Sequence, residues 1–183
     1  MTRRRFGREE PANREPDPDA DPEAVAREIV LRQLTTRARS RAELEHALQT
    51  RGVPDDVAAS VLNRFEELAL VDDAGFAEAW AQSRQRAGRS VRVIRQELRT
   101  KGVGDEDAAA ALDALAPDAD YLAALAFARK RVGFMRALEP NVRYRRLGGA
   151  LARRGFSGGV TARVLREVLA EHSEHGELAH DFD

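Results

Sequence analysis

Between residues 24 and 170 the apolar positions recur every three or four residues, and alternation with a period of two is absent. That spacing predicts amphipathic helices and no strands. The pattern also repeats along the chain. RSRAELEHALQTRGVPDDVAASVL (39–62) and RSVRVIRQELRTKGVGDEDAAAAL (89–112) agree at 10 of 24 positions, at an offset of 50. RYRRLGGALARRGFSGGVTARVL (143–165) is a weaker third copy, a further 53 residues on. Leu44, Ile94 and Leu147 align, as do Leu48, Leu98 and Leu151, then Gly52, Gly102 and Gly155, then Leu62, Leu112 and Leu165. A basic residue precedes each of these glycines: Arg51, Lys101 and Arg154.

Each copy reads as a helix, a glycine turn and a second helix. Ser40 and Ser90 are placed to cap helix starts, and Ser40 with Glu43 makes a capping box. The aligned apolar pair, four residues apart, faces the core. The basic residue then falls in the last turn, where it complements the helix dipole. The glycine after it can take the left-handed conformation that ends a helix. Asp55 and Asp105 are expected to cap the following helix, which ends on the aligned leucine. One more amphipathic helix precedes each copy, at about 23–37, 73–87 and 118–131. Phe76 and Trp80 share a face of the second of these, and Tyr121, Leu125 and Ala128 mark the apolar stripe of the third. Asp72-Asp73 is read as a capping turn between units in preference to a pair of catalytic or metal-binding carboxylates.

The expected fold is therefore all-α, with three tandem three-helix repeats forming an elongated, curved, solenoid-like body. The repeats are placed at 23–72, 73–117 and 118–170. A proline- and charge-rich N-terminal arm over 1–22 is expected to be disordered, and an acidic tail over 171–183 to be flexible.

Composition narrows the chemistry. The 183 residues include no cysteine, which excludes a disulfide framework, a thiolate zinc site and a cysteine nucleophile. No apolar run approaches the roughly 18–20 residues of a membrane span, and the basic N-terminus lacks an apolar segment behind it. A soluble, cytoplasmic protein is expected. There is no G-x-x-x-x-G-K-[ST], no G-x-S-x-G and no H-E-x-x-H. His172, His175 and His180 lie in the acidic tail and are read as solvated, and His46 has no second ligand at metal spacing. No catalytic residue, cofactor or metal is expected.

Charge changes the picture more. The net charge of −1 hides a strong asymmetry: residues 118–170 hold 11 basic against 4 acidic groups, while 171–183 hold 5 acids and no Lys or Arg. Lysine occurs only at 101 and 130, so the positive charge is almost all arginine, which suits bidentate contact with phosphate or carboxylate. Arg92, Arg95 and Arg99 form one helical stripe. Arg143, Arg146 and Arg154 share a face of the corresponding third-copy helix, with Arg153 beside it. In the first copy the places of Arg92, Arg95 and Arg99 hold Ala42, Glu45 and Gln49, so the ridge belongs to copies two and three. Arg129, Lys130, Arg131 and Arg136 widen it to a groove-scale patch. Such a ridge is expected to meet an anion, either a nucleic-acid backbone or an acidic protein surface. Only Tyr144 lies within a basic run, so stacking on single-stranded bases has little support.

One ordered series of motifs is more specific. Phe65-Glu66-Glu67-Leu68-Ala69-Leu70-Val71-Asp72-Asp73-Ala74-Gly75-Phe76-Ala77 resembles the signature of the RecX family of bacterial recombination regulators. Arg84, Arg86-Ala87-Gly88-Arg89-Ser90 and Leu98-Arg99-Thr100-Lys101-Gly102-Val103 continue it. Arg145-Arg146-Leu147 and Leu151-Ala152-Arg153-Arg154-Gly155-Phe156 are similar to its third-repeat signature. The resemblance covers about 24–170, and the long N-terminal arm looks like an actinobacterial-style extension.

The resemblance implies three tandem three-helix repeats and a non-enzymatic modulator of RecA. Family members bind the RecA filament on single-stranded DNA, along its groove or at its end. They usually inhibit ATP hydrolysis, strand exchange and LexA cleavage in DNA repair and the SOS response. Some also touch DNA directly. On helical-face geometry, Arg92, Arg95, Arg99, Arg143, Arg146, Arg153 and Arg154 are the residues expected to carry the contact. A monomer is expected, as nothing in the sequence predicts a dimer. The alternative is an independent DNA-binding protein that uses its units as helix-turn-helix modules.

Overall fold

A computed structural model describes residues 21–178, with side chains through Glu171. The arm expected over 1–22 lies outside the described residues, save that Asp21 and Pro22 already open the first helix; residues 179–183 of the acidic tail also lie outside them. Among the described residues there are nine α-helices, one 3-10 turn and no strand. They are α1 (Pro22–Thr36), α2 (Arg41–Gln49), α3 (Asp55–Glu67), α4 (Asp73–Arg86), α5 (Val91–Thr100), α6 (Asp105–Asp113), α7 (Ala119–Val132), α8 (Pro140–Arg153) and α9 (Gly158–Leu178), with the 3-10 turn at Gly133–Met135 before α8.

The helices group in threes, and each group has its own core. Leu44, Leu48 and Leu62 sit in the first core with Val30 and Phe65. Ile94, Leu98 and Leu112 sit in the second with Phe76 and Ala81. Leu147, Leu151 and Leu165 sit in the third with Leu125 and Val168. All the aligned apolar positions are buried, so the repeat in the sequence is a repeat of cores. Separate cores joined in tandem are what a repeat protein builds when each unit is too small to bury its apolar face alone.

Local signals set most helix ends. The Ser40 hydroxyl accepts from the Glu43 amide, and the Glu43 carboxylate accepts from the Ser40 amide, completing the capping box. Ser90 accepts from Val93, and Asp72 from Gly75. Two expectations differ. Asp55 and Asp105 are the first helical residues and not the caps, which are Pro54 and Gly104. The extended step after the buried valines Val53 and Val103 is completed at Pro54 and Gly104, so each helix begins one residue earlier than expected, at the aspartate itself. The two aspartates favour the helix through its dipole. The third copy's last helix also runs past Leu165 to Leu178, so the boundary placed at 170 falls inside α9.

The units are joined by hydrogen bonds that the repeat pattern did not announce. The Arg41 amide at the start of α2 donates to Asp73 of the second unit at 2.8 Å. The Val91 amide at the start of α5 donates to Asp120 of the third unit at 2.7 Å. The Ser40 hydroxyl donates to the Lys101 carbonyl at 2.5 Å, and the Ser90 amide to the Arg154 carbonyl at 3.2 Å. The N-termini of α2 and α5 thus meet the glycine turns that end α5 and α8, respectively. α8, α5 and α2 are joined end to end, and the positive end of one helix dipole faces the negative end of the next.

Candidate binding surface

The joint between units one and two is an electrostatic cluster. Lys101 reaches Glu43 of the first unit at 2.9 Å, and its ammonium lies 4.2 Å from the Trp80 ring centre. Arg84 covers the same ring at 4.1 Å and pairs with Glu97 at 2.9 Å, while the Trp80 indole donates to Glu97 at 3.1 Å. Trp80 is therefore held between two cations, each of which is also held by a carboxylate. Burial pushes the Glu43 carboxyl up, but hydrogen bonds and charge from Arg37 and Lys101 outweigh it and hold it at about 2, below the usual 4.5.

The sign of the pH effect follows. The folded value lies below the unfolded one, so the contribution is full above about pH 4.5 and is lost as pH falls toward about 2. Glu43→Gln is expected to cost about 1–2 kcal/mol at pH 7 and almost nothing near pH 2. Urea unfolding followed by Trp80 fluorescence reads both values. An equal cost at both pH values would mean that the Glu43 charge does not hold the joint.

The seven arginines of the ridge fall into three environments. Arg92, Arg95, Arg146 and Arg153 are exposed and have no hydrogen-bond or ion-pair partner among the described residues. Arg99 is exposed too, but pairs with Asp105 at 3.3 Å. Arg143 and Arg154 are half-buried and turned into the protein. Arg143 donates to the carbonyls of Arg136 and Leu138, at 3.2 and 3.0 Å, and holds the turn before α8. Arg154 donates to the carbonyls of Ala87 and Gly88, at 2.7 and 3.2 Å, and lies 4.0 Å from the Phe127 ring centre.

The end-to-end joint brings the end of α8 against the start of α5, where Arg92 lies. The α8 turn that carries Arg153 abuts the start of α5, close enough that a side-chain carbon at Gly155 would lie 3.6 Å from the Arg92 guanidinium. The α8 end that carries Arg153 is thus next to Arg92 at the start of α5. Arg92 also borders an open groove of about 650 Å³ that runs past Trp80, Gln96 and Thr100 at the junction with the first unit. In the wider patch, Arg129 turns away from the ridge and pairs with Glu167 and Glu171 of α9 at 3.1 and 2.5 Å. Lys130 and Arg131 face a second cleft, between units two and three.

Helical-wheel reasoning missed the roles of Lys101 and Arg154. Each follows the same rule: an aromatic ring of its own unit's first helix carries the cation, which reaches back to the preceding unit. Among the described residues no unit precedes the first, and there Arg51 caps its own helix by donating to the Ala47 carbonyl. Among the described residues no group of three or more His, Asp or Glu is placed to hold a metal ion, and no helix is long and apolar enough to cross a membrane.

Fold and surface together define an all-α tandem-repeat protein with a basic face built from end-to-end helices. Residues 26–65, 72–112 and 118–165 match the first, second and third three-helix domains of RecX. The chain is 47% identical to the Regulatory protein RecX of Thermobifida fusca over 148 residues, 80% of each protein. It is 40% identical to that of Streptomyces coelicolor over 162 residues, 88% of this chain and 86% of the relative. The crystal structure of RecX from Lactobacillus salivarius superposes with a TM-score of 0.70, over 81% of this chain and 97% of that one, at 21% identity. A second RecX crystal structure superposes with a TM-score of 0.68, over 79% and 73%, at 24% identity. The chain belongs to the RecX family.

Proposed function

We propose that this protein binds the RecA filament on single-stranded DNA in the cytoplasm and inhibits it, without chemistry of its own. Membership of the RecX family supports the partner. The observation that carries the mode of binding is the run of free arginines, Arg92, Arg95, Arg146 and Arg153, along helices joined end to end. A single rigid row of cations fits a partner whose acidic groups or phosphates also recur along a line, as those of a helical filament do. A monomer that bridges neighbouring RecA subunits would resist the subunit movements that ATP turnover needs, and would obstruct the incoming duplex. ATPase, strand exchange and coprotease activity then fall together, and the SOS response with them.

The test is ATP hydrolysis by the cognate RecA on single-stranded DNA as this protein is titrated in. Hydrolysis is expected to fall. Loss well below equal amounts of the two proteins favours binding at filament ends, and loss only near equal amounts favours occupation of the groove. Unchanged hydrolysis, with no co-sedimentation with the filament, sinks the RecA reading. It would leave independent duplex DNA binding by the same arginines as the better account.

A further inference from the structure

We propose that the cleft between the second and third units is a docking site for a short acidic peptide segment of a partner protein, anchored by an aromatic or leucine side chain. The cleft measures about 620 Å³ and lies between the end of α4, one face of α7 and the last turn of α8. Arg86, Lys130, Arg131 and Arg154 line it, and no acidic residue does. None of these four has an ion-pair partner among the described residues, so the cleft carries uncompensated positive charge. The state of Arg154 reflects this: burial lowers its guanidinium from the usual range, and so do the neighbouring charges of Arg89 and Arg131.

The second half of the chemistry is apolar. Phe134 stands 82% exposed on the 3-10 turn at one lip, and Leu122 is 45% exposed on α7. Between them the floor is made of the small residues Ala87, Gly88, Ala123 and Ala126, which leaves a slot for a ring or a branched aliphatic group. Exposed apolar side chains rimmed by charge mark interaction sites more often than bare surface. Arg154 supplies the fixed point. Its Nη1 is occupied by the carbonyls of Ala87 and Gly88, and Phe127 holds its plane, so Nε and Nη2 remain as a free, pre-oriented fork for a carboxylate.

Charge complementarity and the apolar slot together select the occupant. A carboxylate-rich segment with one apolar anchor satisfies both. A single-stranded nucleic acid matches the charge, but it is bound on rows of rings, and only one exposed ring stands at this cleft. The cations are also gathered at one place and do not track a backbone. The proposal does not rest on the filament reading, because peptides alone test it.

The test is fluorescence anisotropy with the full chain and a short fluorescein-labelled peptide of aspartates around one phenylalanine. Its twin has alanine for the phenylalanine. The phenylalanine peptide is expected to bind about tenfold tighter than its twin, a difference of about 1.4 kcal/mol. Phe134→Ala is expected to remove most of that advantage. Arg86→Glu with Lys130→Glu is expected to weaken both peptides at least about tenfold. All these positions are exposed, and circular dichroism checks that the variants fold. Equal binding of the twins overturns the proposal, as does indifference to the cleft variants. Displacement of the peptide by lower concentrations of a single-stranded oligonucleotide of equal charge would make this a nucleic-acid site. Peptide binding that tightens about tenfold when the chain is cut after Leu178 would make the protein's own acidic end the occupant. Either result overturns the proposal.

Discussion

With Arg92, Arg95, Arg146 and Arg153 all changed to glutamate, affinity for the RecA filament is expected to fall about a thousandfold, with the fold intact. Each exposed charge contact is worth up to about 1 kcal/mol, and reversal adds repulsion to the loss, so about 1 kcal/mol per position is a moderate figure. Four positions then give about 4 kcal/mol, or roughly three powers of ten in Kd. Stability should move by less than about 0.5 kcal/mol per site, because none of the four has a partner to lose. Filament co-sedimentation over a salt series reads the effect, and the salt dependence should flatten along with the affinity. Arg99→Glu alone is expected to do less, since Arg99 already shares its charge with Asp105. Arg143 and Arg154 are poor test positions despite lying on the same helical face. Their reversal would break the turn before α8 and the joint between units, and lost binding would then report lost structure. Wild-type binding by the fourfold variant would remove the ridge from the mechanism.

That choice of residues marks where the sequence was legible and where it was not. The repeat offset located the three cores, since Leu44, Ile94 and Leu147 occupy the same buried place in each unit. Ser40 and Ser90 announced helix starts, because capping is local and its donors lie within three residues. The candidate ridge was half legible. Helical-face arithmetic treats each helix as free in solvent, and it ranked Arg143 and Arg154 with Arg146 and Arg153. It could not see that one unit's glycine turn would abut the previous unit's helix start and turn Arg154 inward. Asp73 and Asp120 were hidden for the same reason: each sits in the first turn of its own helix yet satisfies an amide of the unit before. A faint signal did exist. Trp80 and Phe127 occupy matching places in the first helices of units two and three, whose Lys101 and Arg154 reach back to the unit before. The corresponding helix of the first unit has the aliphatic Ile29 at that level, one residue before the fully buried Val30 that matches Ala81 and Ala128.

The glycine turns give the sharpest test of the joints, because the three aligned glycines share a backbone conformation but not a neighbourhood. Gly52, Gly102 and Gly155 have φ of +74°, +72° and +88°. Alanine at any of them takes on the left-handed penalty, about 1 kcal/mol. At Gly52 that is the whole cost, since nothing lies within 4 Å of the added methyl. At Gly102 the methyl would overlap the Cβ of Ala42, and at Gly155 it would overlap Val93 and lie 2.6 Å from the Ser90 hydroxyl. Neither neighbour can yield cheaply. Ala42 has no side-chain rotamer to change, and Ser90 is a fully buried cap whose amide is bonded across the same joint. Overpacking of this kind adds about 1–3 kcal/mol. Gly102→Ala and Gly155→Ala are therefore each expected to cost about 3 kcal/mol, against about 1 kcal/mol for Gly52→Ala, in thermal or urea unfolding. Gly155→Ala should also weaken filament binding, because it parts the α5 arginines from those of α8, whereas Gly52→Ala should not. If all three cost the same, the penalty is backbone strain alone. The units would then not be clamped at their glycine turns, and the end-to-end ridge would lose its rigidity.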